Sequence, residues 1–222
     1  MEESRLNPFV LINFKTYEQG TGKKALKLAK LAEKVAKETG ADIAVSVESP
    51  SIHMISQAVD IPVFAQHIDS VNFGSNTGHI LPETVKEMGA KGTLLNHSER
   101  RLDFMNIDKY IEKCKSLGLK SLVCVKDLKE TKFALQFSPD YIAYEDPELI
   151  GSGIPISKAQ PDKVKQFVEL FTDTETIPLC GAGISTGNDV KAAIELGTKG
   201  VLLASGVVKS DDPERVLRDL IS

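Results

Sequence analysis

Short apolar runs recur along the chain, each followed by polar or glycine-rich residues and then by a stretch with helical spacing. The runs are Phe9 to Ile12, Ile43 to Val47, Val63 to Gln66, Thr93 to Asn96, Ser121 to Val125, Tyr141 to Tyr144, Ile177 to Cys180 and Gly200 to Leu203. All are strand-sized. Between the first two, Ala25, Leu28, Ala29, Ala32, Val35 and Ala36 recur every three or four residues, which predicts a helix with one apolar face and a lysine-rich, solvated one. Ser49-Pro50, Leu81-Pro82-Glu83 and Asp212-Pro213-Glu214 read as helix starts, because proline's fixed φ and missing N–H suit the first helical position.

Several helical stretches end in glycine just before the next run, at Gly40, Gly89, Gly118 and Gly197. Glycine tolerates the left-handed conformation that turns a helix back towards a strand. The repeating unit is therefore strand, helix, glycine reversal, copied around a parallel sheet. Eight units predict an α/β architecture, a closed (β/α)8 barrel of eight parallel strands with surrounding helices, in one domain spanning residues 1–222. A doubly wound open sheet is the competing arrangement, but no glycine-rich dinucleotide or P-loop fingerprint follows an early strand.

Hydrophobic residues make up 41% of the chain, enough for a sizeable core, which excludes disordered and fibrous classes. The net charge of -4 and the scatter of the 27 basic residues leave no footprint for nucleic acid. No apolar run is long enough to span a membrane and Met1 to Arg5 does not resemble a signal peptide, so a cytoplasmic location is expected. Cys114, Cys124 and Cys180 are an odd set without C-x-x-C spacing and read as reduced structural residues, with a reactive thiol conceivable only at Cys180 beside a glycine turn.

Barrel chemistry sits where strands end. Asn13 and Lys15 follow the first run, Asn96 and His97 the fourth, Glu145 the sixth, and glycine turns follow the last three as Ile150-Gly-Ser-Gly153, Gly181-Ala-Gly-Ile-Ser185 and Ala204-Ser-Gly206. Glu145 ends a strand of aromatic and aliphatic residues, a setting suited to a general base. Ser98-Glu-Arg100 after His97 reads as a helix start, whose amide groups would favour a neutral imidazole able to polarise a carbonyl. Lys15 offers a fixed cation for a phosphate or a developing oxyanion, and the glycine turns offer backbone N–H groups to a phosphate dianion. His53, His67, His79 and His97 fall in different elements, so no zinc-ligand spacing is present and neither metal nor cofactor is expected.

Asn13-Phe-Lys15, Asn96-His-Ser-Glu-Arg100, Tyr144-Glu145 with Glu148-Leu-Ile-Gly-Ser-Gly153, Gly181-Ala-Gly183 and Gly200-Val-Leu-Leu-Ala-Ser-Gly206 resemble, in order, the signatures of the triosephosphate isomerase family. The compact length and Cys180-Gly-Ala-Gly183 are similar to its archaeal branch. The resemblance implies a cofactor-independent isomerase that interconverts dihydroxyacetone phosphate and D-glyceraldehyde 3-phosphate through an enediol(ate), in glycolysis and gluconeogenesis. It implies catalytic roles for Glu145, His97, Lys15 and Asn13, and substrate contacts from Asn13, Lys15, Ile150, Gly151, Gly183, Ala204 and Ser205. Asn96 and Glu99 would support them, Glu99 as the acidic partner of Lys15. Pro147 to Gly153 resembles the family's lid, although Asp146 stands where a proline is usual and Glu148-Leu149 where a tryptophan and a small residue are usual. Ile68 to Leu81 resembles the loop that carries Thr77 to a partner subunit's site, which implies a homo-oligomer, at least a dimer and by archaeal likeness a tetramer. Other readings remain open on residues alone: a Schiff-base aldolase using Lys126 at the end of the fifth run, an inactive barrel kept for binding, and a phosphate-binding barrel of amino-acid or thiamine biosynthesis, which would not need Lys15, His97 and Glu145 on these strands.

Overall fold

The apolar runs form β1 (Phe9–Asn13), β2 (Ile43–Val47), β3 (Val63–Ala65), β4 (Gly92–Leu95), β5 (Lys120–Val125), β6 (Tyr141–Tyr144), β7 (Ile177–Gly181) and β8 (Gly200–Leu203) in the computed structural model. Each strand pairs in parallel with the next, and β8 pairs with β1, so the sheet closes into a barrel. The structure describes residues 7–146, 149 and 155–222.

Most strand ends lie within a residue of the expected ones, and two strands stop one residue short for local reasons. Asn96 has φ 61°, a left-handed conformation that asparagine tolerates, and this stops β4 at Leu95. Gln66 lies beyond β3, and its side-chain amide turns to donate to the Lys15 carbonyl at 2.9 Å. At the other end β4 begins with Gly92, where a Cβ would come within 2.4 Å of the Phe64 ring.

The intervening helices are α1 (Gly22–Thr39), α2 (Ile52–Ser56), α3 (Pro82–Glu87), α4 (Ile107–Leu117), α5 (Leu128–Leu135), α6 (Ile156–Ala159), α7 (Pro161–Glu169), α8 (Gly187–Glu195), α9 (Ser205–Val208) and α10 (Pro213–Leu220). Helix α1 buries the face predicted for it and ends at Gly40, φ 75°, whose N–H reaches back to Ala36 O. Proline opens α3 and α10 as expected, whereas Ser49-Pro50 begins only a single 3-10 turn before α2. Among the described residues no helix is long and apolar enough to cross a membrane.

Alternation along the strands divides the core into two layers. Val10, Ile12, Val45 and Val123 face outward into a layer shared with the helices, while Leu11, Ala44, Leu94, Leu122, Ala143, Leu179 and Leu202 fill the barrel's interior. Fully burying one such leucine contributes about 2 kcal/mol. At the N-terminal end the interior is floored by aromatic rings: Phe9 stacks on Tyr141 at 4.9 Å, and Phe64 lies 6.4 Å from each. At the C-terminal end the same inward alternation continues from Leu11 to Asn13 and from Ala143 to Glu145, which puts polar groups at the barrel's mouth.

Candidate active site

At that mouth lies a cavity of about 180 Å³ lined by Asn13, Lys15, Tyr17, His97 and Glu145 and by residues 182–185 and 202–206. Asn13, Lys15, His97, Glu145, Gly183, Ala204 and Ser205 are thus brought together from five strand ends. Ile150 and Gly151, and all of Pro147 to Gly153 except Leu149, lie outside the described residues.

Glu145 is buried, and a Cβ on Gly181 of the neighbouring strand would come within 2.5 Å of its Cγ. Its Oε1 stands 3.6 Å from His97 Nε2, and its buried Oε2 has no hydrogen-bond partner among the described residues. A buried carboxylate oxygen without a donor retains its capacity to accept. Directly after it, Asp146 accepts a hydrogen bond from Gln160 Nε2 at 2.9 Å, and its carbonyl accepts from Leu149 N–H at 3.0 Å.

The segment after His97 is a turn, not the helix start expected from Ser98-Glu-Arg100; Arg100 N–H closes it on His97 O at 2.8 Å, and α4 begins only at Ile107. One amide does what the helix was expected to do. Glu99 N–H points at His97 Nδ1 from 3.2 Å, while the Glu99 carboxylate stays 3.7 Å away. A backbone N–H can only donate, so Nδ1 carries the lone pair, and the neutral ring presents Nε2–H to the cavity.

Lys15 has φ 49°, an uncommon conformation for a side-chain-bearing residue that its neighbours hold in place. Its N–H donates to Asn13 Oδ1 at 3.0 Å, its carbonyl accepts from Gln66, and its ammonium donates to Glu99 Oε1 at 2.8 Å. The lysine side chain is 10% exposed and the glutamate 57%, so Glu99 holds the cation from the rim. Asn96 lies outside the cavity and acts as a splint. Its Nδ2 donates to Cys124 O at 2.8 Å and its Oδ1 accepts from Leu102 N–H at 3.1 Å, while Arg101 ties the Asn96 carbonyl to Glu130.

Directly after Gly181, Ala182 and Gly183 both have positive φ, at 68° and 73°, so the chain bends sharply after β7. Gly206 closes the second wall, where a Cβ would meet Ser185 Cα at 3.1 Å. Such turns expose successive N–H groups towards an anion.

The comparisons with known proteins agree with this layout. The sequence pattern of one family, Triosephosphate isomerase, matches residues 8–221. The chain belongs to the triosephosphate isomerase family. It is 53% identical over 224 residues to "Triosephosphate isomerase" of Methanobacterium bryantii, covering 100% of this chain and 99% of the relative. It is 51% identical over 216 residues to the protein of that name from Methanocaldococcus jannaschii, covering 96% of this chain and 98% of the relative. With the relative from Methanosarcina acetivorans it shares 48% over 217 residues, 97% and 98% of the two chains.

Triosephosphate isomerase membership leaves the other candidate groups with modest parts. Lys126 is half exposed, lies outside the cavity and has its ammonium 3.6 Å from Glu130, so it is poorly placed for a Schiff base there. Burial pushes the Cys180 thiol up to about 12, which makes it a packing residue. Cys124, packed beside the site, is pushed well above its usual value by burial and then by the Glu145 carboxylate. Among the described residues no group of three His, Cys, Asp or Glu is placed to hold a metal ion.

Several residues of the site were not foreseen. Tyr17 lines the cavity, with the Lys209 ammonium 4.3 Å above its ring, and so links the loops after β1 and β8. Gln66, Arg101 and Glu130 support the groups that were foreseen, and Gly181, foreseen only as part of a phosphate turn, also makes room for Glu145. Only Gly181 left a sequence signal, as the first glycine of its turn.

Proposed function

We propose that the chain is one barrel domain that interconverts dihydroxyacetone phosphate and D-glyceraldehyde 3-phosphate by proton transfer, with Glu145 as the base. The observation that carries this reading is the meeting of Glu145 Oε1 and His97 Nε2 at 3.6 Å in the cavity that also holds Lys15 and the glycine turns. Bound there by its phosphate, a triose phosphate lies within reach of both a carboxylate and a hydrogen-bond donor. Glu145 takes a proton from the carbon beside the carbonyl and returns it to the neighbouring carbon. As the proton leaves, negative charge grows on the carbonyl oxygen, and His97 Nε2–H and the Lys15 ammonium stabilise that enediolate. The proton of the adjacent hydroxyl passes to this oxygen before the neighbouring carbon is protonated, so that the old hydroxyl becomes the new carbonyl. Asn13 fixes Lys15 by accepting its N–H.

The phosphate sits against Gly183, Ala204 and Ser205, with Ile150 and Gly151 assigned to it by sequence resemblance alone. No step needs a cofactor, and the reaction serves glycolysis and gluconeogenesis in the cytoplasm. A coupled assay of the purified chain with D-glyceraldehyde 3-phosphate tests the reading; absence of dihydroxyacetone phosphate overturns it.

The same reading makes the protein a homo-oligomer. Beside the cavity runs a groove of about 760 Å³ whose lining includes Asn13, Lys15, His67, Gly78, Glu99 and Arg100. The loop from Ile68 to Leu81 is pinned at its base by Asp69 N–H to Ile80 O at 3.0 Å and Ile80 N–H to Asp69 Oδ2 at 2.7 Å, and it holds Phe73 77% exposed. A rigid base with an exposed apolar residue suits insertion of Thr77 into the groove of a second copy, in a dimer and, by archaeal likeness, a tetramer.

A further inference from the structure

Helix α6 follows the sixth strand's crossover, and its Lys158 reaches across to α8. The Lys158 ammonium donates to Asp189 Oδ1 at 2.6 Å, although the lysine is 54% exposed and the aspartate side chain only 4%. The other oxygen, Oδ2, accepts from Ser185 N–H at 3.2 Å, Ser185 Oγ at 3.3 Å and Thr186 N–H at 3.0 Å. Asp189 is therefore the point at which the phosphate-side turn, residues 182–185, is fastened to the body of the barrel. Ser185 lines the cavity and packs on Gly206, so its position also sets the spacing between the turns after β7 and β8.

The pair has an electrostatic role as well as a mechanical one. A buried carboxylate beside a site for a phosphate dianion opposes the ligand unless a cation balances it. Burial pushes the Asp189 carboxyl up, yet the hydrogen bonds from Lys158, Thr186 and Ser185 together hold it below the usual carboxylate range. Asp189 thus remains an anion behind the phosphate turn, with Lys158 balancing it. Just beyond the same end of α6, Gln160 donates to Asp146 next to the base.

We propose that Lys158 and Asp189 are positioning residues for phosphate recognition, with Lys158 both holding the turn through Asp189 and offsetting its charge against the bound dianion. This rests on the reading of the cavity as a triose phosphate site. The test is Lys158→Met beside Lys158→Arg, in the full chain, measuring kcat and KM separately and the affinity for inorganic phosphate by calorimetry. Lys158 is half exposed, so both variants retain the fold, and a thermal melt of each checks this. The expected result is that Lys158→Met raises KM and the Kd for phosphate together by about tenfold with kcat within about threefold of the parent, and that Lys158→Arg recovers most of both. KM and phosphate affinity within about twofold of the parent overturn the proposal, as does a loss confined to kcat or to the melting temperature. Phosphate affinity is read without turnover, so a parent that binds phosphate but isomerises nothing sinks the functional reading and still leaves the Lys158 comparison decisive.

Discussion

Glu145 owes its place to Gly181: a methyl group on that glycine would lie 2.5 Å from Glu145 Cγ and 3.2 Å from Oε1. The carboxylate rests on bare backbone of the next strand. Gly181→Ala should therefore leave the barrel folded but swing the carboxylate off line, and a displacement near 1 Å costs a base about 100-fold in rate. We expect kcat to fall by roughly that factor with KM changed by less than about threefold. A variant with parent kcat would show that the carboxylate does not depend on this contact.

Glu145→Gln keeps the shape and removes the proton acceptor. Its turnover should drop by at least about 1,000-fold, while affinity for an enediolate-like inhibitor such as phosphoglycolate is reduced far less than turnover. Activity within about tenfold of the parent would exclude Glu145 as the base.

Stability should depend on His67. The ring is buried and pairs with Asp69 Oδ1 at 3.0 Å. Burial, which outweighs the hydrogen bond and charge of Asp69, holds its pKa below the usual 6.5, with the Arg100 charge adding to the depression. The unfolded chain then binds a proton that the folded chain refuses, so this contribution is complete above pH 6.5 and is lost as pH falls towards the folded value. Urea midpoints measured from about pH 8 down to pH 5 should decline more steeply in the parent than in His67→Gln, which titrates nowhere in that range. Equal slopes would remove His67 from the account.

Oligomer and activity should be lost together on dilution, since the groove beside the cavity is the proposed seat of a partner's loop. Light scattering and activity measured across the same dilution series check this. A fully active monomer at assay concentration would reject the assembly.

The barrel was legible because its strands are buried on both faces, and such segments write themselves as continuous apolar runs. Glu145, Lys15 and Asn13 were legible because they follow those runs at the inward alternation. The turn after His97 was not, because Ser-Glu-Arg suits a helix start and a tight turn equally, and Glu99 is taken up by Lys15, 84 residues away in sequence. Gln66 read as strand because nothing local signals that its amide serves the Lys15 carbonyl, 51 residues earlier. Lys158 and Asp189, 31 residues apart, look like solvated helix charges until the barrel brings α6 beside α8. What the residues alone hid was support from distant residues, of which only the Glu99 pairing with Lys15 came from the family resemblance.

The side chains that fill the barrel, from Leu11 and Leu122 in its middle to the rings of Phe9, Tyr141 and Phe64 at its floor, make it a shallow cup rather than a pipe. A small molecule in the mouth has no back door, so whatever is made there departs through the opening by which its precursor arrived. Arrivals and departures must alternate, reagent and product contend for a single berth, and each excludes the other in simple competition. A vessel of this kind has no built-in direction of traffic, and how far the two triose phosphates stand from their equilibrium ratio decides which of them is delivered.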